Sequence, residues 1–514
     1  MVLDPDHCYR ALAAHDARFD GRFFVGVAST GVYCRPICRV RMPKRENCAF
    51  FANAAAAEQA GYRPCLRCRP ELAPGRASVD AADRLAQGAA MALEDRLLED
   101  DTVEDVAARL GVTGRHLRRV FEAAFGVSPA QYRHPQRLLL AKRLLADTQL
   151  PITEIAYASG FRSLRRFNAA LAEHYRLTPT AMRRERTRDR GTDAVVLELA
   201  YRPPFDWSRL LAFLARRSIR GVEDVRDAAY LRTVALPASP DRGHERGDPK
   251  TGWIEVTHAP ARSTLRVAVS SALAGMLPAV AARVRRLFDL AAEPAEIAAR
   301  LGPLAVASPG LRVPGAFDGF EVAVRAILGQ QVTVAAATTL AGRFASAFGT
   351  PVVTSHAALT HAFPSAARVA AADWQEIAAL GIVGARAKAL VALARAVASG
   401  SLALEPAGDV AATVAALESL PGLGPWTAQY IAMRALGWPD AFPESDLGIL
   451  KALGVASPRA ARERAEGWRP WRAYAVMHLW LSREGPSTAK PDVTATKARR
   501  AKGVAWHPDK GATR

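Results

Sequence analysis

Four of the six cysteines in this 514-residue chain fall in two close pairs, and no other feature constrains the N-terminal fold as strongly. The pairs are Cys34 with Cys38 in "GVYCRPICRVRM" and Cys65 with Cys68 in "PCLRC". Thiolates spaced C-x3-C and C-x2-C close tetrahedrally around zinc from two short turns. The spacing therefore predicts a Zn2+ site built from these four cysteines. The two remaining cysteines have no close partner and are expected to be small core residues.

The cysteine segment is crowded with arginine and lysine, and the whole chain has a formal net charge of +19. Such a charge indicates a polyanion as the partner. A zinc thiolate on this surface would lie against a phosphate backbone while remaining deprotonated and nucleophilic. The side chains of this segment that we predict to contact DNA are Arg35, Arg39, Arg41 and Arg67.

The first ten residues lack the apolar run of a signal peptide, and no apolar run in the chain reaches membrane-spanning length. We therefore expect a cytoplasmic protein with reduced cysteines and no membrane partner, because structural disulfides are rare in a reducing compartment. We also expect a monomer.

Changes in composition divide the chain into five segments. We predict a zinc-bound α+β domain over 1–75, an all-α DNA-binding domain over 80–188, a small α+β sheet domain over 194–305, an all-α domain over 306–485 and a disordered basic tail over 486–514. The strands of the sheet domain are predicted at "AVVLELAYR", "TGWIEVTHAP" and "STLRVAVS". The fold class is thus multidomain and mainly α, with two small α+β parts.

The second segment contains a repeated helix-turn-helix pattern. In "TVEDVAARLGVTGRHLRRVFEAAFG", Thr102 and Asp105 form a capping-box-like start and Gly111 marks the turn. The pattern recurs in "PITEIAYASGFRSLRRFNAALAEHY", with Gly160 at the turn. The second helix of each repeat is predicted to enter a major groove, with the two helices about 34 Å apart. The alternative is that the charged residues of these helices form a solvated helix face. The predicted groove or phosphate contacts are Arg115, His116, Arg118, Arg119, Ser163, Arg165 and Arg166.

Two short motifs stand out in the C-terminal half. The Pro-Gly-Leu-Gly of "LESLPGLGPWTAQYIAMRALG" predicts a hairpin between helices, at which backbone N–H groups near Gly422 and Gly424 approach a phosphate. The motif by itself is more often just a turn. Asp446, in "FPESDLGIL", begins a helical pattern and is either a simple N-cap or a functional carboxylate.

The segment "FVGVASTGVYCRPICRVRMPKRENCAFFANAAAAEQAGYRPCLRCRP" resembles the N-terminal domain of the Ada adaptive-response proteins. The resemblance implies that Cys34, the first of the four cysteines, irreversibly accepts a methyl group from a methyl phosphotriester in DNA. Losing negative charge at this sulfur would weaken its repulsion from phosphates and tighten DNA binding. The repeated helix-turn-helix resembles the AraC-type domain, which implies a transcriptional activator with RNA polymerase as a further partner. A redox or metal sensor is the alternative role for the cysteines.

Residues from about 195 to 485 resemble the 3-methyladenine DNA glycosylase II (AlkA-type) family, part of the helix-hairpin-helix superfamily. The stretches that carry the resemblance are "LELAYRPPFDWSRLLAFLARRSIRGVE", "FEVAVRAILGQQVTV" and "WRPWRAYAVMHLW". The resemblance implies a flipped, cationic base held by cation–π contacts and Asp446 as the catalytic carboxylate. The resemblance places Gln331 in the segment that fills the gap left in the duplex by the flipped base. It also places Trp426 at the position where strand-nicking relatives carry a lysine, which implies a monofunctional glycosylase. The implied base-pocket residues are Phe213, Trp426, Tyr430 and Trp480. The alternative is a regulator whose C-terminal half binds DNA without catalysis.

Overall fold

A computed structural model describes residues 4–70, 73, 85–86, 88–90, 92–93, 102–147, 150–161, 163–183, 194–237, 249–406 and 410–482. The predicted basic tail (486–514) lies outside the described residues. None of the helices in the described part of the chain has both the length and the apolar character needed to cross a bilayer.

The described residues form helices in every predicted domain and strands in three small sheets. In chain order the α-helices are Pro5–Ala13, Ala54–Gln59, Val103–Arg109, Gly114–Phe125, Pro129–Asp147, Ile152–Ala158, Leu164–Tyr175, Pro179–Arg183, Trp207–Ala215, Leu277–Leu287, Pro294–Leu301, Gly319–Leu328, Val334–Phe348, Ala366–Ala370, Trp374–Ala378, Gly384–Ala398, Val410–Ser419, Pro425–Arg434, Leu447–Leu453, Pro458–Ala465 and Arg472–Ser482. The strands are β1 Phe24–Val27, β2 Val32–Cys34, β3 Cys48–Phe51, β4 Arg63–Pro64, β5 Ala194–Ala200, β6 Glu223–Arg226, β7 Ala229–Leu236, β8 Lys250–Ala259, β9 Thr264–Ser270, β10 Thr350–Pro351 and β11 His361–Ala362.

The N-terminal sheet brings the two cysteine pairs together. Its strand order is β3-β1-β2-β4, with β2 and β4 parallel. Tyr33 pairs with Pro64, and the backbone N–H of Cys65 donates to the carbonyl of Tyr33 at 3.0 Å. Because Cys34 and Cys65 each follow these paired residues, the two short turns that carry the cysteines leave the sheet side by side.

The helix-turn-helix repeats form as predicted, with a seven-residue first helix and a twelve-residue second helix in each. The Thr102–Asp105 capping box is present, and it satisfies N–H groups that the first turn leaves unpaired. Gly111 and Gly160 have φ angles of +69° and +78°. Residues with a Cβ atom rarely adopt this region, so glycine fixes both turns.

The two repeats do not share one hydrophobic core. The first repeat packs with Ala55 of the N-terminal domain. The second repeat, together with residues from Leu138 onward in the helix that joins the repeats, packs in a core that extends into the sheet domain and helix Arg472–Ser482. The predicted domain over 80–188 is therefore divided between two cores.

The sheet domain is a five-stranded antiparallel sheet of order β5-β9-β8-β7-β6. The three predicted strands correspond to β5, β8 and β9, whereas β6 and β7 have no counterpart in the prediction. Helix Trp207–Ala215 begins at Asp206, whose carboxylate accepts from the backbone N–H of Arg209 at 3.2 Å. The sheet domain and the helical domain meet around the cavity described below.

Candidate functional site

The sulfur atoms of Cys34, Cys38, Cys65 and Cys68 lie within 4.8 Å of one another, in a largely buried cluster. A tetrahedral zinc site with Zn–S bonds of about 2.3 Å separates its sulfurs by about 3.8 Å, so the cluster fits this ion. The backbone N–H of Arg35 donates to Sγ of Cys68 at 3.3 Å, a contact that favours a thiolate. Hydrogen bonding to Cys38 and Cys65, together with burial, raises the pKa of Cys34. A bound cation would favour the thiolate form of all four sulfurs.

Arg35 lies inside the N-terminal domain, so its predicted contact with DNA does not fit the structure. Its side chain is only 4 % exposed and forms a bidentate pair with buried Asp20, with Nε 2.8 Å from Oδ1. Its Nη1 also donates to the carbonyl of Cys68 at 3.1 Å. A buried guanidinium requires such partners, which the sequence does not place nearby. Arg35 therefore has a structural role, because it links the Cys68 turn to buried Asp20.

The other predicted basic residues lie at the surface. Arg39, Arg41 and Arg67 are exposed around the cysteine cluster. In the second helix of each repeat, the exposed arginines are Arg115, Arg118, Arg119, Arg165 and Arg166. This placement leaves them accessible to a phosphate backbone.

Four of the predicted contact residues in the helix-turn-helix repeats also make local contacts. Arg118 pairs with Glu104 at 2.5 Å, and Nη2 of Arg119 lies 3.1 Å from Nδ1 of His116. Oγ of Ser163 accepts from the backbone N–H of Arg166 at 3.2 Å, so its structural role is to cap helix Leu164–Tyr175.

A cavity of about 420 Å³ lies between the sheet domain and the helical domain. Trp426, Tyr430 and Trp480 line it together with Asp446. Trp426 and Tyr430 stack with ring centroids 5.4 Å apart, and Tyr430 and Trp480 lie 6.3 Å apart. Three of the four predicted pocket aromatics and the predicted carboxylate thus meet at one cavity wall.

Phe213 does not line this cavity. Its side chain is 1 % exposed, and the guanidinium carbons of Arg217 and Arg434 lie 3.7 Å and 5.2 Å from its ring centroid. Its ring is nearly parallel to that of Trp480, with centroids 6.5 Å apart. The predicted contact between Phe213 and a base therefore does not fit this arrangement, because arginines occupy its neighbourhood.

Asp446 is held by three donors. Nε1 of Trp426 donates to Oδ2 at 2.9 Å, Nε1 of Trp480 donates to Oδ1 at 3.0 Å, and the backbone N–H of Ile449 donates to Oδ1 at 3.0 Å. Asp446 is thus the N-cap of helix Leu447–Leu453, as one sequence interpretation predicted, and it also lines the cavity. Its role as a functional carboxylate stays a prediction. The indole contacts were not foreseen, because Trp426 and Trp480 are 20 and 34 residues away along the chain.

A buried ionic cluster forms another part of the cavity lining, and sequence reasoning missed it. Arg232 and Arg325 contact Glu321 at 2.6 Å each, and Arg325 also pairs with Glu223. Burial opposes ionisation, but Arg232 and Arg325 lower the pKa of Glu321 overall. Glu223 lies in strand β6 and Arg232 lies in strand β7. These charged residues interrupt the alternation of apolar and polar residues that predicts a strand.

The hairpin and the loop that carries Gln331 lie side by side. Helix Val410–Ser419 and helix Pro425–Arg434 flank the turn, in which Gly422 has φ +82° and Gly424 is the N-cap of the second helix. Gln330 donates to the carbonyl of Gly422 at 2.9 Å and to Oγ1 of Thr427 at 3.0 Å. Exposed Gln331 has φ +54°, in the left-handed region. The hairpin and this loop therefore form one connected rim.

The sequence matches four protein families. The metal binding domain of Ada matches residues 7–71, a helix-turn-helix domain matches 106–185, the AlkA N-terminal domain matches 196–318, and the HhH-GPD superfamily of base excision DNA repair proteins matches 324–471. A Mycobacterium tuberculosis protein called a probable bifunctional transcriptional activator/DNA repair enzyme AlkA is 40% identical over 506 residues, which are 96% of this chain and 99% of that protein. The chain belongs to this AlkA-type activator and repair family.

Two Escherichia coli proteins match separate parts of this AlkA-type chain. DNA-3-methyladenine glycosylase 2 is 40% identical over 286 residues, which are 55% of this chain and 96% of that protein. The bifunctional transcriptional activator/DNA repair enzyme Ada is 35% identical over 159 residues, which are 30% of this chain and 43% of that protein. The four-cysteine cluster lies inside the match to the metal binding domain of Ada, so the AlkA-type chain contains a zinc site there.

The contact between Trp480 and Asp446 gives a testable prediction. In Trp480→Phe an aromatic face remains, but Oδ1 of Asp446 loses the indole donor. Hydrogen bonds to charged groups contribute about 1.5–3 kcal/mol, so we expect the single-turnover rate of base excision to fall roughly 10- to 100-fold, with little change in DNA affinity. Trp468→Phe, which alters an indole outside the cavity lining, is the matched control. An unchanged rate in Trp480→Phe would show that this hydrogen bond does not position Asp446.

Proposed function

We propose that the protein senses DNA methylation damage, activates transcription in response and excises alkylated bases as a monofunctional DNA glycosylase. The observation that carries the proposal is the placement of Asp446 in an aromatic cavity next to a helix-hairpin-helix rim, in the same chain as an Ada-type cysteine site. The substrate of both activities is double-stranded DNA.

In the sensor, Cys34 is the proposed methyl acceptor. Its sulfur attacks the methyl carbon of a methyl phosphotriester; the S–C bond forms, the C–O bond breaks, and the phosphate oxygen leaves with the electron pair as a phosphodiester anion. Zinc held by Cys34, Cys38, Cys65 and Cys68 would keep the sulfur of Cys34 deprotonated at neutral pH. The exposed Arg39, Arg41 and Arg67 bind the flanking phosphates.

Methylation of Cys34 is expected to tighten promoter binding. A thioether has no charge, so the cluster repels phosphates less while the arginines around it are unchanged. Binding of methylated and unmethylated protein to the same promoter fragment, at one salt concentration, measures the effect. A Cys34→Ser protein exposed to the same methyl donor is the control, because it has no thiolate at this position. Equal affinities before and after methylation would contradict the proposed switch.

In the glycosylase half, Asp446 is the proposed catalytic carboxylate. Positive charge develops on the sugar as the N-glycosidic bond breaks, and a fixed carboxylate stabilises that charge and orients water toward C1′. Two indoles and a backbone N–H hold Asp446, so little reorganisation is needed during the reaction. Trp426, at the position where strand-nicking relatives carry a lysine, supports a monofunctional reaction with water as the nucleophile.

The cationic base is proposed to bind against Trp426, Tyr430 and Trp480. Cation–π contacts contribute about 0.5–2 kcal/mol each. Burial by itself would raise the pKa of Tyr430. The guanidinium of Arg434, together with those of Arg217 and Arg325, nevertheless lowers this pKa overall. Nη1 of Arg434 donates to the hydroxyl oxygen of Tyr430 at 2.8 Å and so fixes this ring at the cavity wall.

The rim and the repeats are proposed to bind DNA. N–H groups near Gly422 and Gly424 face a phosphate at the hairpin, because the first turn of a helix leaves its N–H groups without intrahelical partners. Gln331 enters the gap left by the flipped base, supported by its exposure and its place beside the hairpin. The proposed recognition-helix contacts are Arg115, Arg118, Arg119, Arg165 and Arg166.

We further propose a cytoplasmic monomer that recruits RNA polymerase when bound at a promoter. Six free cysteines among the described residues, four of them in a metal cluster, are consistent with a reducing compartment. The activator role of the Ada-type relatives supports the polymerase partner.

Release of 3-methyladenine from methylated duplex DNA tests the glycosylase proposal. The purified full chain is expected to release the base without nicking the strand. Binding without base release would instead favour a regulator whose C-terminal half has no catalytic activity.

A further inference from the structure

We propose that the zinc sensor docks against the glycosylase half through a salt-bridge anchor at Arg22, and that changes at the cysteine cluster reach the glycosylase half through this contact. Arg22 lies in the short turn between Asp20 and Phe23, just before β1. Its Nη1 lies 3.2 Å from Oε2 of Glu293, and its Nη2 lies 2.7 Å from Oε1 of Glu296. Both glutamates belong to the start of helix Pro294–Leu301 in the glycosylase half.

The anchor is partly shielded from water. The side chains of Arg22 and Glu293 are 24% and 10% exposed, so their ion pair is screened less than a surface pair. Burial raises the pKa of Glu293, and the guanidinium groups of Arg202 and Arg22 oppose that rise. Arg202 is fully buried and donates to the carbonyls of Ala291 and Ala292 at 2.9 Å and 3.3 Å. Glu293 therefore lies between one arginine of each half.

Arg22 connects with the cysteine cluster through its neighbour Asp20. Asp20 pairs with Arg35, whose backbone N–H donates to Sγ of Cys68 and whose Nη1 donates to the Cys68 carbonyl. Asp20, Arg35 and Cys68 are all confined by packing or by these bonds, so a shift of the cluster displaces the segment that carries Arg22. Only one residue separates Asp20 from Arg22 along the chain.

A second contact joins the other cysteine turn to the same core. The carbonyl of Cys65 accepts from buried Nζ of Lys142 at 3.2 Å, and Leu66 packs against the core that the second repeat shares with the glycosylase half. Oε2 of Glu58 lies 3.0 Å from Nε2 of His174, while Oε1 of Glu58 accepts from Tyr33, the residue before Cys34. Both cysteine turns are therefore tied to the second repeat, which shares its core with the glycosylase half.

Because of these contacts, the local stability of helix Pro294–Leu301 depends on whether the cysteine cluster of the sensor holds zinc. Hydrogen exchange of the full chain, followed by mass spectrometry in peptides covering 291–301, measures that order. Removing zinc with a chelator is expected to raise exchange in residues 4–70 and, by about fivefold or more, in 291–301. In Arg22→Glu, exchange in 291–301 is expected to be fast already and to respond little to the chelator.

Two variants control for charge and folding. Arg18→Glu makes the same charge change four residues away, where Arg18 pairs within the sensor with Asp16 at 2.6 Å, and it should behave like wild type. Glu296→Arg tests the anchor from the glycosylase side, and the double change Arg22→Glu with Glu296→Arg is expected to restore much of the lost protection. If Arg22→Glu fails to retain zinc, Glu296→Arg by itself decides the outcome, because residue 296 lies outside the sensor.

The proposal is overturned if chelation raises exchange in residues 4–70 of the wild type but leaves 291–301 unchanged. It is also overturned if Glu296→Arg keeps wild-type exchange in 291–301 and a wild-type response to the chelator. Neither outcome depends on base excision or methyl transfer, so the proposed function is tested separately.

Discussion

Asp446→Asn is expected to lower single-turnover release of 3-methyladenine by about 10²–10³, the usual loss when a positioned electrostatic contact is removed from an active site. An amide supplies a dipole where a negative charge must face the developing positive charge on the sugar. The asparagine side chain is almost the same size, and its oxygen can still accept from Nε1 of Trp480 and the backbone N–H of Ile449, although its NH2 group cannot accept from Nε1 of Trp426. With two of the three contacts retained, the cavity should persist. DNA affinity should stay near the wild-type value, because the hairpin and the arginines are unchanged.

Glu444→Gln is the matched control for this variant. Glu444 is a partly exposed carboxylate two residues from Asp446, where it pairs with Arg462 instead of lining the cavity. Base release, a gel shift on the same duplex and methyl transfer to Cys34 should all remain at wild-type levels in this control. Wild-type excision by Asp446→Asn would remove Asp446 from the mechanism, whereas joint loss of binding and excision would assign it a folding role.

Cys65→Ser/Cys68→Ser is expected to abolish zinc binding and reduce methyl transfer to Cys34 below detection. Two ligands cannot hold zinc in the closed site, and metal binding contributes about 10–16 kcal/mol to the folding of small zinc domains. Metal analysis and incorporation of labelled methyl groups measure the two losses. Base release should persist, because Asp446 and its donors lie in a separate cavity.

Cys8→Ser/Cys48→Ser controls for the loss of two thiols. Cys8 is buried in a small apolar cluster with Cys48 packed against it, and neither belongs to the four-cysteine group. This variant should bind one zinc per chain and accept one methyl group. Full zinc retention in Cys65→Ser/Cys68→Ser would show that these two cysteines are not ligands.

The sequence predicted those features that depend on residues close together along the chain. Two cysteine pairs with zinc-ligand spacing, a capping box, two turn glycines and the Pro-Gly-Leu-Gly hairpin are local patterns, and the structure contains each of them. The family resemblance added the prediction that one carboxylate and several aromatic residues lie together in one pocket. Asp446, Trp426, Tyr430 and Trp480 do meet there.

The sequence did not predict features that depend on contacts between residues far apart in the chain. Arg35 is indistinguishable from its basic neighbours in sequence, yet it pairs with a buried carboxylate, Asp20, 15 residues away. Phe213 matches a pocket position, but Arg217 and Arg434 surround its ring. In sequence, the charges of Glu223 and Arg232 are evidence against buried strands. In the structure, Glu223 pairs with Arg325 and Arg232 pairs with Glu321, both from the helical domain, so the strands can be buried.

The sequence by itself therefore determined the zinc ligands, the two helix-turn-helix repeats and the carboxylate at the start of its helix, because local geometry and residue chemistry are sufficient for each. Only the tertiary structure decided which arginines are free to meet DNA, which donors hold Asp446 and how the sensor contacts the glycosylase half. These outcomes depend on pairing between residues far apart in the chain. Burial makes such pairing necessary, since a charge removed from water requires a partner, and the fold alone determines which partner it meets.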